Sequence, residues 1–258
     1  MKKTVLLLSG VSEGPVLARA LRAAGFDIVA TVTQAAAREH LFGHMQGIAR
    51  VEVRGFTEPS LSDFLAQGEA DFVLDATHPF AVRITQIASA VCARLGTPYV
   101  RYQRPDWEPP AGTMYAASYA EAAAMLAALG ARIMLTIGAK QLKHFAHLHD
   151  QLRLFARILP SLVSLQQALD AGFTQTNILA LRPPFSQAFN QSMLREYVVD
   201  VLVTKASGVA GGVVDKVVPA HELGITTLMI RRPELPDLPT VSTLEAAVQA
   251  CQEFLCRG

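Results

Sequence analysis

Asp75, Thr77 and His78 stand close together in DFVLDATHPFAVR, Asp71 to Arg83, and bring a carboxylate, a hydroxyl and an imidazole into one short loop. An imidazole titrates near neutrality and can give or take a proton in a reaction. Further along, Lys140 follows Gly138, Arg182 precedes Pro183 and Lys205 precedes Gly208, so three cations each have a small or rigid neighbour that would hold an anion close. SGVSEG, Ser9 to Gly14, is a small-residue turn of the kind that brings a phosphate to a helix N-terminus. Plainer readings stand beside these. Asp and Thr cap helices, a single His serves structure, charged loops are solvated, and a glycine pair also makes an ordinary tight turn.

The elements needed to position these groups are strands and helices in alternation. Phe72-Val73-Leu74 reads as a buried parallel strand that stops at Asp75, and the helix after it runs from about Phe80 to Leu95 with Pro79 in its first turn. Open α/β sheets bind ligands beyond the carboxyl ends of their strands, which is where Asp75, Thr77 and His78 fall. Val5 to Leu8 is a first strand and Val16 to Ala24 a helix, with the glycine turn between them. The turn departs from GxGxxG, because Ser12 replaces the middle glycine and Glu13 has the wrong sign for a phosphate. Ile28 to Thr33 is the second strand, and Thr31, Thr33, Gln34 and Arg38 near its end supply no carboxylate for a ribose. That pattern leans towards NADP, against the nearby Glu39. In the second half, Arg132 to Thr136, Leu152 to Ile158, Asn177 to Leu181, Val198 to Val203 and Thr227 to Ile230 read as strands, and the three cations follow strand ends. Lys143, His144, His147 and His149 lie on one helical run, which reads as a metal site or, lacking a further ligand at useful spacing, as a polar helix face.

The 258 residues suffice for two domains, and an apolar share of 51% against 17% charged supplies cores without extensive disorder. A net charge of +1 gives no basic field for nucleic acid. Cys92, Cys251 and Cys256 lack metal or disulfide spacing and read as packed, reduced thiols of a cytoplasmic protein. Lys2 and Lys3 before Thr4 to Leu8 imitate a signal peptide, but the apolar run is too short, and no run reaches a membrane span. An internal repeat divides the chain: LGTPYVRYQRP, Leu95 to Pro105, matches LGITTLMIRRP, Leu223 to Pro233, at Leu-Gly and Arg-Pro. Each copy follows a helix and closes one half, with the join near Asp106 to Gly112. GxSxG, Walker A and paired CxxC motifs are absent.

DATHPFA (Asp75 to Ala81), Arg104 with Trp107 after it, LTIGAKQL (Leu135 to Leu142), LRPPFS (Leu181 to Ser186) and VLVTKASGVAGGVVDK (Val201 to Lys216), followed by ELGI and IRRP, together resemble the precorrin-6A reductase family of cobalamin biosynthesis. The similarity runs in order over nearly the whole chain. It implies an α/β protein of two Rossmann-like domains with parallel sheets, residues 1–107 for the coenzyme and 108–258 for the tetrapyrrole carboxylates. It also implies that the sheets exchange their last strands, and the two Leu-Gly…Arg-Pro strands suit that exchange. The implied reaction is NADPH-dependent reduction of a carbon–carbon double bond of precorrin-6A to give precorrin-6B. On this reading Gly10, Ser12, Gly14, Thr33 and Thr77 hold the coenzyme, and His78 and Asp75 are catalytic, with Lys140, Lys205 or bound water as other proton donors. Arg104, Lys140, Arg182, Ser186, Lys205, Ser207 and Lys216 hold the substrate. No metal is expected, and the protein partners are neighbouring enzymes of the pathway. The alternatives are NADH as coenzyme, a cobalt-containing substrate, a non-catalytic dinucleotide-binding module and a methyltransferase using S-adenosylmethionine. Two departures from the family pattern are the SGVSEGP turn, where the family has two glycines and then Thr before Glu, and Pro183, which replaces a glycine and removes an N–H.

Overall fold

The computed structural model describes residues 2–45, 47 and 50–255. The chain runs β1 (Thr4–Leu8), α1 (Glu13–Ala23), β2 (Asp27–Val32), α2 (Ala35–Phe42), β3 (Arg50–Val53), α3 (Glu58–Ala66), β4 (Phe72–Asp75), α4 (Val82–Leu95) and β5 (Tyr99–Tyr102). It continues with β6 (Met114–Ala116), α5 (Tyr119–Leu126), β7 (Arg132–Leu135), a 3₁₀ segment (Ala139–Leu148), β8 (Arg153–Ile158), α6 (Leu162–Asp170) and β9 (Ile178–Ala180). Then come α7 (Gln187–Glu196), β10 (Val201–Lys205), α8 (Val214–Glu222), β11 (Thr226–Ile230), β12 (Thr240–Val241) and α9 (Leu244–Leu255). Two compact units result, Met1–Pro105 with Glu234–Gly258, and Asp106–Pro233.

Each unit holds one parallel sheet. The orders are β12-β5-β4-β1-β2-β3 and β6-β11-β10-β7-β8-β9, the same doubly wound order twice, reversing beside β1 in the first and beside β7 in the second. In β1 the alternation of side chains sends Val5 and Leu7 to one face, with Leu17, Leu21, Phe42, Ala247 and Cys251, and Leu6 and Leu8 to the other, with Leu61, Phe64, Val91 and Cys92. Both faces are buried, which is why the strand reads as an unbroken apolar run. In the second unit Met134, Phe155 and Leu202 pack on Met193, Leu194 and Ala220 of α7 and α8.

The structure corrects several expectations. Glu234–Gly258 belongs to the first unit rather than to a domain of residues 108–258, because Thr240 and Val241 pair with Arg101 and Tyr102 while Ala247 and Cys251 fill the α1 side of the core. The two Leu-Gly…Arg-Pro strands, β5 and β11, do not change sheets: each lies beside the preceding strand of its own unit, β4 and β10. The strand beyond β5 is β12 and the strand beyond β11 is β6, so neither edge is filled by the strand that follows in the chain. The repeat has a local cause, since Gly96 and Gly224 both adopt φ of 69° just past α4 and α8 and turn the chain into β5 and β11. Pro79 precedes α4 instead of opening it; Ala81 N bonds to His78 O at 2.8 Å and delays the helix to Val82. Cys92 and Cys251 are buried free thiols, both pushed up to about 12 by burial, and Cys256 lies outside the described residues. No described helix is long and apolar enough to cross a membrane.

Enlarging the fully buried Ala247 to leucine is expected to cost about 1–3 kcal/mol through overpacking. The loss should appear in far-ultraviolet dichroism before the fluorescence of Trp107, the single tryptophan, which packs on the Val213, Val217 and Met229 cluster of the second unit. Earlier loss of Trp107 fluorescence would assign the last helix to the second unit instead.

Candidate active site

In the first unit the carboxyl ends of β1 to β4 enclose a cavity of about 270 Å³, lined by Ser9, Gly10, Thr31, Thr33, Arg54, Gly55, Phe56, Thr77 and His78 with Leu8, Ala81 and Ile84. A larger one of about 490 Å³, lined by Thr4, Arg22, Asp27 and Gly68 among others, lies at the amino ends of β1 and β2, the wrong edge for a ligand of this fold. Gly10, Thr33, Thr77 and His78 therefore converge on one cavity.

Ser12 does not join them. Its hydroxyl donates to Glu13 Oε2 at 2.9 Å, whereas Ser9 Oγ is buried with no hydrogen-bond partner and lies at the cavity. Gly10 has φ of 146°, a conformation suited to glycine, and the space beside its Cα is open. Gly14 serves packing: a Cβ there would overlap Ser9 Oγ and lie 3.2 Å from the Phe42 ring. An unsatisfied buried hydroxyl, an open glycine and a helix starting at Glu13 fit the pyrophosphate of a dinucleotide. The charge of Glu13 is met by Arg104, whose Nε lies 2.6 Å from Oε1 and whose Nη2 donates to Oε2 at 2.8 Å. Arg104, expected on substrate carboxylates, is thus bound to a carboxylate of its own unit.

Asp75 is fully buried at the end of β4 and accepts five hydrogen bonds. Oδ1 takes Thr77 N at 3.0 Å and Thr77 Oγ1 at 2.7 Å; Oδ2 takes Thr85 Oγ1 at 2.7 Å, Tyr99 OH at 2.9 Å and Arg101 Nη1 at 2.8 Å. Burial and the Asp75 charge raise the pKa of Tyr99, so its phenol stays a donor. Asp75, expected to be catalytic, has both oxygens occupied by groups of its own unit and is closed off from solvent. It holds Thr77 at the cavity. His78 is half-buried there, and its Nδ1 accepts from Phe80 N at 3.1 Å, so a neutral ring carries its proton on Nε2.

In the second unit the strand-end cations separate into two kinds. Lys140, in the first turn of the 3₁₀ segment after β7, and Arg182, after β9, are exposed. Lys205 ends β10, and burial pushes its pKa down to about 8. Lys216, in the first turn of α8, is pushed down to about 7 by burial and then by the charges of Arg157 and Lys205, against an opposing pull from Asp215. Arg157, inside β8, is lowered to about 10 by burial; Nη1 donates to Asn190 Oδ1 at 2.7 Å, and the guanidinium lies 4.6 Å from the Phe185 ring centroid. Phe185 belongs to the RPPFS loop, whose Pro183–Pro184 bond is cis. Ser186 caps α7 by accepting from Phe189 N at 3.1 Å, so its oxygen has a structural use. Buried Ser207 donates to Gly211 O at 3.4 Å. Of the three histidines, His144 stacks on Tyr119, His147 is exposed, and beyond the 3₁₀ segment His149 Nε2 lies 2.9 Å from Ala171 O. Among the described residues no three His, Cys, Asp or Glu side chains group as a metal site.

The family model of precorrin-6x reductase CbiJ/CobK matches residues 4–252. The chain belongs to the precorrin-6x reductase family. Cobalt-precorrin-6A reductase of Synechocystis sp. is 34% identical over 255 residues, covering 98% of this chain and 97% of that protein. Precorrin-6A reductase of Rhodococcus erythropolis is 36% identical over 245 residues, covering 93% of each. The solved structure of CobK precorrin-6A reductase superposes with a TM-score of 0.78 at 25% identity and covers 98% of this chain and 97% of that one. As a member of that family the chain is an oxidoreductase of cobalamin biosynthesis.

Ser9, Arg157 and Arg54, which the structure adds to these strand ends and their surroundings, carry only a faint signal in the sequence. Ser9 was signalled as the first polar residue after an apolar strand, Arg157 as a lone charge inside RLFARI, and Arg54 as the charge that ends VEV before a glycine. Replacing Asp75 by asparagine would leave Arg101, 1% exposed, as an uncompensated buried charge. The expected loss is about 3–5 kcal/mol in urea unfolding at neutral pH; a loss under about 1 kcal/mol, the worth of a surface pair, would show that the pair does not hold the loop.

Proposed function

We propose that this protein uses NADPH bound in the first unit to reduce one carbon–carbon double bond of precorrin-6A, whose carboxylates are held by the second unit. The observation that carries the reading is the gathering of Arg157, Lys205 and Lys216 in a protein of net charge +1. Burial opposes the charge of each, repulsion from Arg157 and Lys205 adds to it at Lys216, and the carboxylates of a macrocycle would favour all three charges. A non-catalytic dinucleotide module has no use for such a cluster.

Bound NADPH supplies the hydride. Ser9 Oγ, the backbone at Gly10 and the start of α1 hold its pyrophosphate, while Thr77, fixed by Asp75, and His78 line the place of the nicotinamide. His78 donates the proton from Nε2, since Nδ1 accepts from Phe80 N and the neutral ring carries its proton on the other nitrogen. Lys205 and Lys216, with Arg157 between burial and charge, grip carboxylates, and exposed Lys140 and Arg182 take others at the same sheet edge. Orientation is the main service the protein renders to a hydride transfer.

The test is anaerobic oxidation of NADPH with precorrin-6A, and separately with its cobalt complex, because the names of the relatives divide between the two. Coenzyme consumption with a change in the pigment spectrum is expected for one of them; bound NADPH with neither pigment reduced would overturn the reading. Lys216→Met is expected to weaken pigment binding roughly 10- to 100-fold, as for loss of one charge-assisted contact, with NADPH affinity unchanged. Loss of NADPH affinity instead would mean that the roles of the units are reversed.

The pH dependence has a fixed sign. Lys216 and Lys205 lose their protons as pH rises through about 7 and about 8, so pigment affinity should fall across that interval. Lys216→Met should remove the lower part of the fall, and affinity that rises with pH would contradict the cluster's role. His78→Gln should lower turnover by about 100-fold; near-normal turnover across pH would exclude His78 as the donor.

A further inference from the structure

Arg54 is, among the described residues, the only formally charged side chain lining the first unit's cavity. It follows β3, its N–H bonds to Val32 O at 2.9 Å, and it is thereby fixed beside the end of β2, where this fold meets the adenine ribose. Its guanidinium lies 4.6 Å from the Phe56 centroid and 5.4 Å from that of Phe64, so two rings hold it in place. No Asp or Glu lines the cavity with it; Glu52, whose Oε2 is 3.4 Å from Arg54 Nη1, is not a lining residue. Thr31 and Thr33 are the other polar groups on that side, and both are neutral. Arg38, the cation closest in sequence to the end of β2, lines a different cavity and has Glu39 beside it there.

We propose that Arg54 is the residue that selects the phosphorylated coenzyme, binding the 2′-phosphate of the adenine ribose with Thr33 as its hydroxyl neighbour. The assignment rests on the first unit being the coenzyme unit. A guanidinium suits a phosphate dianion because its donors form a planar fork, and stacking on Phe56 leaves the fork's edge to face the anion. A carboxylate in the same place would bind a free 2′-hydroxyl and repel the phosphate, and the cavity has none.

The test is calorimetric binding of NADPH and NADH to the full chain without macrocycle, with adenosine 2′,5′-bisphosphate and 5′-AMP as competitors. The unaltered protein should bind NADPH about 10- to 100-fold more tightly than NADH, the worth of one charge-assisted phosphate contact. Arg54→Gln keeps a stem over Phe56; it should bring NADPH down to the NADH level and leave NADH affinity and the thermal midpoint unchanged. Arg54→Lys should restore part of the preference and Arg38→Gln should keep all of it. A preference that survives Arg54→Gln, or vanishes in Arg38→Gln, overturns the assignment. Equal binding of both coenzymes by the unaltered protein overturns it while the coenzyme reading stands; binding of neither removes that reading and this one with it.

Discussion

The buried pair of Asp75 and Arg101 is the constraint on which the first unit turns. Two opposite charges, almost wholly removed from water at the ends of adjacent strands, are costly to the extent that their remaining hydrogen-bonding capacity is left unmet. Thr77, Thr85 and Tyr99 meet it for the carboxylate, while Arg101 Nε and Nη2 have no hydrogen-bond partner. The seal over Arg101 comes from far along the chain. Pro239 O accepts from Arg101 N at 2.8 Å, and Thr240 pairs with Arg101 in the sheet. The last segment thus pairs through its backbone with the strand that carries Arg101, while the side chain of Arg101 holds the carboxylate that orients the Thr77–His78 loop.

The same strand order appears twice, yet the two carboxyl edges carry opposite chemistry. At the end of β4 stands a carboxylate satisfied from within, and at the equivalent end of β10 stands Lys205, whose charge is disfavoured by burial. A satisfied anion stiffens a loop, whereas destabilised cations raise the affinity of the site for an anionic partner, because ligand charge removes their penalty. The same strand order thus carries two kinds of strand end, one whose charge is satisfied and holds a loop still and one whose charge a nearby anion would favour.

Much of this was legible in the sequence because strand ends are marked by a change from apolar to polar residues. Asp75, Lys140, Arg182 and Lys205 were all found in that way, and the Leu-Gly…Arg-Pro repeat marked β5 and β11. What escaped depends on distant partners. β12 is a two-residue strand, too short to show a pattern of its own, and its partners Arg101 and Tyr102 lie far back in the chain. The choice of Ser9 over Ser12 turns on which hydroxyl Glu13 accepts from, and the place of Arg104 on a carboxylate 91 positions away. Arg157 was hidden because an alternating strand is read by its apolar members, so a charge within it passes as a surface position until Phe185 and Asn190 are seen to close over it.

Glu13 shows how such a distant partner changes the meaning of a local motif. An acidic residue in the first turn of a helix is favoured by the helix dipole and would by itself repel a phosphate at the same helix end. Arg104, only 7% exposed, converts it into a neutral pair. Desolvation lowers the pKa of Arg104 while Glu13 holds it up, so the guanidinium keeps its charge through its partner. Arg104 also stands at the last residues before the chain leaves the first unit at Pro105. The pair accordingly does two things at once: it removes the electrostatic objection to an anion at the start of α1, and it ties the exit of the chain to the turn where that anion would bind. A motif judged by its residue types alone would have been dismissed on the sign of one side chain, whereas the fold supplies the opposite sign from the far end of the unit.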